Sequence, residues 1–242
     1  MSPAFTPVVS AAAAAPPIRL GELTGTGDVL MLAPHPDDET LAAGAALAAT
    51  WRSGRRAHVA VVTDGSRSHP NSARYPAAAL AALRRREVTR AVRLLSGNNA
   101  RPIWLGYPDL AAPEDPAAFA AVAARLGRIL PDVSAIWSTW WGDPHPDHQR
   151  TWALACYLAA RQPGCRLYAC PVWGRVQGPA AAARFSGLRR FRSAPLRALK
   201  ARAVAAHASQ MTPLIDDDPT GFTMAPELAA HFVDTDEIFI PA

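Results

Sequence analysis

Hydrophobic positions along the chain alternate between two textures. Short apolar runs occur at Asp28 to Ala33, Ala57 to Thr63, Pro102 to Gly106, Ser134 to Thr139 and Arg166 to Trp173, with turn-forming residues around them. Runs of this length and composition predict strands buried on both faces. Between them lie longer segments of helical character: Asp38 to Trp51, closed by Gly54, Ala77 to Leu95, Pro116 to Leu130, stopped before Pro131, and Pro146 to Arg161. Strands and helices taking turns at this spacing predict βαβ units and a mainly parallel sheet. Beyond Gly174 the pattern weakens, leaving helices over Leu196 to His207 and Pro226 to His231 and an edge strand over Glu237 to Ile240. Residues 1–27 read as an irregular N-terminal arm ending in Gly25-Thr26-Gly27, and residues 28–242 as a single domain. The expected fold class is α/β, a mainly parallel sheet with flanking helices in three α/β/α layers.

Composition narrows the function classes. With 242 residues, half of them hydrophobic and 19% charged, the chain resembles a soluble globular enzyme with room for a sizeable core. Its net charge of +5 is uneven, because no Asp or Glu occurs from His148 to Ile215 while Arg is frequent there. That stretch reads first as a solvated face, and second as a surface for an anionic substrate or phospholipid. No helix-turn-helix, zinc-finger spacing or aromatic-interleaved basic strand speaks for nucleic acid. Cys156, Cys165 and Cys170 form an odd set without metal-type spacing, as expected in a reducing, cytoplasmic setting. The Ala/Pro-rich stretch from Ala11 to Pro17 reads as a flexible leader rather than a signal peptide, and no apolar run reaches membrane-spanning length.

Two clusters carry the chemistry. His35-Pro36-Asp37-Asp38-Glu39 follows the first strand, and His145-Pro146-Asp147-His148 follows a later one. Ligands of open α/β sheets collect at carboxyl ends of strands, so both clusters suit one shared site. An imidazole and a carboxylate can bind a divalent ion, and zinc takes both ligand types. Adjacent Asp37 and Asp38 point in different directions, so one can bind metal while the other reaches the activated water. One histidine of the second cluster completes a His-Asp-His set with open positions, the mark of a catalytic centre. The other, oriented by Asp147, can stay protonated to stabilise an oxyanion or protonate a leaving amine.

With these motifs the chain resembles the GlcNAc-phosphatidylinositol de-N-acetylase family, also called PIG-L or LmbE-like. The resemblance extends to Thr63-Asp64-Gly65, Arg84-x-x-Glu87-x-x-x-Ala91, Leu105-Gly106-x-x-Asp109 and Lys200-x-x-Ala203-x-x-x-His207-x-Ser209-Gln210. Ala43-Gly44-Ala45 stands where many relatives carry paired glycines. The resemblance implies a Rossmann-like fold and Zn2+, or another divalent ion, held by His35, Asp38 and His148. It implies Asp37 as the general base, His145 paired with Asp147 as stabiliser of the tetrahedral intermediate, and Arg84 as a contact to the acyl oxygen or carboxylate product. The implied reaction is hydrolysis of the N-acetyl group of an N-acetylglucosamine-containing conjugate, small or lipid-linked, with room for peripheral membrane contact. Amidase action on another sugar-linked amide is the nearest alternative. A nucleotide-binding Rossmann module is disfavoured because no G-x-G-x-x-G follows Leu32, and a decayed scaffold because the His/Asp set is intact.

The remaining polar residues take quieter readings. His69 is expected in solvent, His58 and His231 without partners, His207 as support for a helix, and Asp216-Asp217-Asp218 as a solvated turn. Trp140 and Trp141 are expected as core-to-rim packing. Sugar and aglycone contacts are expected from Ser66 to Tyr75, from Trp140-Trp141-Gly142-Asp143 and from Gly174 to Pro195.

Overall fold

The computed structural model describes residues 6–130, 132–177 and 185–242. Its elements, in chain order, are α1 (Pro7–Ala14), α2 (Leu20–Thr24), β1 (Asp28–Ala33), α3 (Asp38–Arg52), β2 (Ala57–Thr63), α4 (Ala77–Leu95), β3 (Ile103–Tyr107), α5 (Pro116–Gly127), β4 (Val133–Thr139), α6 (Pro146–Ala159) and β5 (Arg166–Cys170). Then come β6 (Arg189–Phe191), α7 (Arg197–Val204), α8 (Ala208–Met211), α9 (Pro226–Asp234) and β7 (Glu237–Pro241).

One seven-stranded sheet runs in the order β3-β2-β1-β4-β5-β7-β6. β1 to β5 are parallel, whereas β7 is antiparallel to both β5 and β6. Every residue of β1 is buried, as a central parallel strand requires. Side chains along a strand alternate between faces. Val29 and Met31 accordingly pack with Leu41 and Leu47 of α3 and Val88 and Val92 of α4. Leu30 and Leu32 pack on the opposite side with Phe119 and Leu126 of α5 and Leu154 of α6. The result is the expected α/β/α layering.

After β1 the chain crosses to β2 and β3 on one side, and later returns to β4 on the other side of β1. The carboxyl ends of β1 and β4 therefore flank the crevice where the winding direction reverses, the position at which such sheets bind ligands.

Several expectations are corrected. The N-terminal arm is not irregular throughout: α1 starts on the Thr6 cap, α2 follows, Leu23 is fully buried, and the Ile18 N–H donates to the Arg190 carbonyl. β7 is interior, because β6, too short and arginine-rich to show alternation, covers its outer side. α5 ends at Gly127, where the poor helix former lets the chain tighten into a turn through Leu130. The run at Arg166 leaves the sheet after Cys170. His58 has a partner in Asp28 at 2.9 Å, and His231 meets Arg175 at 3.3 Å. No helix among the described residues is long and apolar enough to cross a membrane.

Candidate active site

The first cluster is assembled by a tight turn between β1 and α3. The His35 carbonyl accepts from the Asp37 backbone N–H at 3.0 Å, and the Asp38 carboxylate returns to the His35 N–H at 3.0 Å. Asp37 caps α3 at φ 156°, ψ −29°, a conformation that costs a residue with a Cβ of order 1–3 kcal/mol. Three contacts hold it there. Its N–H donates to Glu39 Oε2 at 3.1 Å, its Oδ2 accepts from Arg84 at 3.2 Å, and Arg84 also donates to the Pro36 carbonyl at 3.1 Å. The second cluster follows β4: His145 caps α6, with Pro146 in its first turn, and both His148 and Asp147 are fully buried.

Between the clusters lies a small convergent set. Asp38 Oδ2 sits 3.2 Å from His35 Nδ1 and 3.3 Å from His148 Nε2. His148 donates its other nitrogen, Nδ1, to Asp143 Oδ2 at 2.8 Å, leaving Nε2 buried without a hydrogen-bond partner. Behind His35, Nε2 lies 3.3 Å from Asp147 Oδ2 and 3.4 Å from Asp109 Oδ1. Imidazoles backed by carboxylates, with their free nitrogens turned toward a shared carboxylate oxygen, form the outer and inner shells of a metal centre. Tetrahedral zinc with bonds of 2.0–2.2 Å separates its ligand atoms by roughly 3.3 Å, which the two measured contacts match. The residues therefore suit a divalent ion: His35, His145 and His148 bring ligand atoms within 4.8 Å of one another, as do His35, Asp109 and Asp147, and Asp38 lies between His35 and His148.

Electrostatics agree with a site built for positive charge. Burial opposes charge on His148, but Asp38 and Asp143 outweigh it and lift its pKa to about 9. Burial likewise opposes charge on His35, and hydrogen bonds to Asp109, Asp147 and Asp38 raise it well above the ordinary histidine value. Asp37 behaves differently: burial, opposed by Arg84 and reinforced by Asp38, pushes it up to about 6. His145 is depressed to about 4 by burial and by the nearby charges of His35 and His148.

The expected pairing of His145 with the Asp147 carboxylate is corrected. The Asp147 backbone N–H donates to His145 Nδ1 at 3.2 Å, while the carboxylate accepts from the N–H groups of Leu110 and Ala112 and faces His35. His145 therefore accepts at Nδ1, which puts the hydrogen of a neutral ring on Nε2, and its lowered pKa disfavours the imidazolium expected from the motif. Arg84 lines the cavity as a buried residue, and its guanidinium donates to the carbonyls of Gly65 and Pro36 and to Asp37 Oδ2. Gly65 allows this approach, since a Cβ there would lie 2.4 Å from the guanidinium.

A cavity of about 380 Å³ opens over these residues, with His35, Asp37, Asp38, Asp109 and His145 on its floor. Leu41, Val172, Trp173, Phe222 and Met224 make an apolar wall, with Arg67 and Ser68 beside it. Arg67, Ser68 and Pro70 are the part of the Ser66 to Tyr75 loop that lines the cavity. Trp140 and Trp141 do not line it; Trp140 is fully buried and Trp141 stacks near Trp152 at 4.9 Å. Residues 178–184 of the Gly174 to Pro195 segment lie outside the described residues. His69 is buried, not solvated, and covered by Gly221. Asp217 and Asp218 are not a free turn either: they accept from Ser72 and from the backbone of Arg74 and Asn71, pinning the loop above the cavity.

The motif residues carry supports that the sequence did not assign. Glu39 bridges the Asp37 N–H to His207, 3.2 Å away, and Glu87 accepts from Ser209 at 2.6 Å. Asp109 and Asp143, singled out in the sequence only within the family resemblance and a sugar-contact segment, back His35 and His148 instead. Asp143, five residues before a histidine in a strand-to-helix turn, was the available signal.

The family model described as PIG-L, GlcNAc-PI de-N-acetylase, matches residues 30–159. No curated protein shows significant sequence similarity to the chain. Among solved structures, it resembles N,N'-diacetylchitobiose deacetylase from Pyrococcus horikoshii, 22% identical over 79% of this chain and 73% of that one, with TM-score 0.64. It also resembles the zinc-inhibited form of a teicoplanin deacetylase, 16% identical over 88% and 97% of the two chains, TM-score 0.62. A third likeness is to 4-carboxy-2-hydroxymuconate hydratase from Pseudomonas putida, 17% identical over 86% and 84%, TM-score 0.64. At these identities the likeness concerns the fold. The family match spans more than half of the 242 residues and includes both histidine clusters, and the chain belongs to the GlcNAc-PI de-N-acetylase (PIG-L) family.

Proposed function

We propose that the protein is a metal-dependent N-deacetylase that removes the acetyl group from an N-acetylglucosamine-type conjugate. The observation that carries this reading is the convergence of His35 Nδ1 and the partnerless His148 Nε2 on Asp38 Oδ2, with Asp37 beside them on the floor of the cavity. Family membership supports it, as do neighbours whose names describe deacetylation of a chitobiose derivative and of teicoplanin.

His35, Asp38 and His148 would hold a divalent ion, zinc by the chemistry of the donors, which would supply Lewis acidity and lower the pKa of water toward neutral. Asp37, ionised above about pH 6, takes the proton of the attacking water. Arg84 fixes the orientation of that carboxylate. His145 donates its Nε2 hydrogen to the oxygen that gains negative charge, a task a neutral imidazole performs without losing its proton. As the carbon–nitrogen bond breaks, Asp37 returns its proton to the amine, so acetate and a free amino sugar leave and the base is restored. The wall of Trp173, Phe222 and Met224 offers apolar and aromatic faces to a sugar ring or its aglycone.

The test is release of acetate and free amine from a panel of N-acetylglucosamine conjugates, neutral, phosphorylated and lipid-linked, by protein loaded with Zn2+. Turnover of at least one conjugate, lost in Asp37→Asn, is the expected result. Hydration of an unsaturated carboxylate with no amide hydrolysis would contradict it, and would align the chain with its hydratase neighbour.

A further inference from the structure

The helix that carries Asp38 is broken. Ala43 departs from helical geometry at φ −141°, ψ 19°, so the turn from Asp38 to Ala42 stands apart from the remainder of α3. Sharp kinks arise at proline, at glycine/serine pairs, at π-bulges, or where a side chain enters the helical hydrogen-bond ladder. Here a side chain enters. Glu237, the first residue of β7, accepts from the Ala45 N–H at 2.7 Å with one oxygen and from the Ala46 N–H at 2.8 Å with the other. It thereby caps the second part of α3 from across the sheet. Lys200, on α7, donates to the Leu41 carbonyl at 2.9 Å and to Glu237 at 2.7 Å, closing the first turn. Both side chains are fully buried.

A buried ion pair is a weak source of net stability, because desolvation consumes most of its attraction. Its position says more. Every backbone group it satisfies belongs to the break in α3, and the short turn on the near side of that break holds Asp38 against His35 and His148. Were α3 continuous, the Leu41 carbonyl and the Ala45 and Ala46 N–H groups would pair within the helix, and the first turn would swing with the core-packed remainder.

We propose that Lys200 and Glu237 are positioning residues for the metal centre: their ion pair keeps α3 broken at Ala43 and so sets Asp38 at coordinating distance from both histidines. This rests on the metal-site reading above. The pair acts through the helix and touches neither substrate nor metal.

The experiment measures Zn2+ affinity by competition with a chromophoric chelator, the visible spectrum of the Co2+-loaded protein, and stability in urea, all on the full chain. The variants are Lys200→Met, Glu237→Gln and the conservative Lys200→Arg, with Leu126→Ala in α5 as a destabilised control remote from the site. Lys200→Met and Glu237→Gln are expected to weaken Zn2+ binding by about tenfold or more, the scale seen when outer-shell support is lost, and to alter the Co2+ bands. Lys200→Arg should recover most of the affinity. Leu126→Ala should keep wild-type affinity and spectrum despite its lower urea midpoint. Equal weakening in Leu126→Ala, or wild-type affinity and spectrum in Glu237→Gln, would overturn the proposal. Should Lys200→Met fail to fold, Glu237→Gln and Lys200→Arg decide between the same outcomes. A wild-type protein that takes up neither ion overturns the metal-site reading itself, and is told apart by failing before any variant is compared.

Discussion

At His148 the two ring nitrogens have separate tasks, and the division predicts what each substitution does. Nδ1 is held by Asp143, which also accepts from the N–H groups of Val172 and Gly174, so Asp143 fixes the ring and leaves Nε2 for the proposed ion. Asp143→Ala should lower metal affinity roughly 10–100-fold in chelator competition while the fold persists. Asp37→Asn should do the opposite, keeping the ion but lowering kcat/KM by roughly 10²–10⁴, the range for loss of a general base. The pH dependence has a definite sign. In chelator-treated protein the pKa of His148 is raised from 6.5 to about 9, so the stability it contributes is complete below pH 6.5 and is lost as pH rises through 9. Because metal must displace that proton, Zn2+ affinity should climb between pH 6.5 and 9, and a flat profile in this window would contradict the assignment.

Elements explain why some of the site was legible in the sequence and some was not. β1, β2 and β4 are continuous apolar runs, and the turns after β1 and β4 bear the histidines, so the strand ends and the meeting of the two histidine clusters could be read directly. Side-chain direction could not. Asp147 lies next to His148 and two residues from His145, yet the helical turn aims its carboxylate at His35 and at the backbone of Leu110 and Ala112. Arg84 is likewise a long-range matter, since α4 delivers it beneath the turn that holds Asp37. β6 is illegible in the sequence because three residues with two arginines show no alternation, and without it β7 reads as an edge. The α4 contact yields a prediction at this scale. Gly65 lies at φ +65°, and an added Cβ would sit 2.4 Å from the Arg84 guanidinium. Gly65→Ala should destabilise the protein by about 1 kcal/mol or more in urea titration and lower kcat more than KM. Unchanged kcat in a folded variant would show that Arg84 does not orient the base.

The whole molecule shows how a widely used sheet is given particular chemistry. The same architecture appears in deacetylases and in a hydratase at comparable TM-scores, so the reaction resides in the residues at the strand ends rather than in the fold. The excess of arginine after His148 also resolves at this scale. Arg175 and Lys200 are buried, and Arg190 and Arg197 pair with Asp236 and Asp234 from the acidic segment that follows, so this stretch is in part internally neutralised rather than a uniform cationic face. An ion that binds the folded state alone adds stability by mass action, about 4 kcal/mol at a thousandfold excess over Kd. Chelation should therefore lower the thermal midpoint, and Zn2+ should restore it. The most direct measurement is a metal titration of amide hydrolysis in chelator-stripped protein, followed by acetate release from an N-acetylglucosamine conjugate. The account predicts no turnover without metal and a rise to a plateau at one equivalent of Zn2+ or another divalent ion per chain, absent in His148→Ala. Undiminished hydrolysis in fully stripped protein would contradict it.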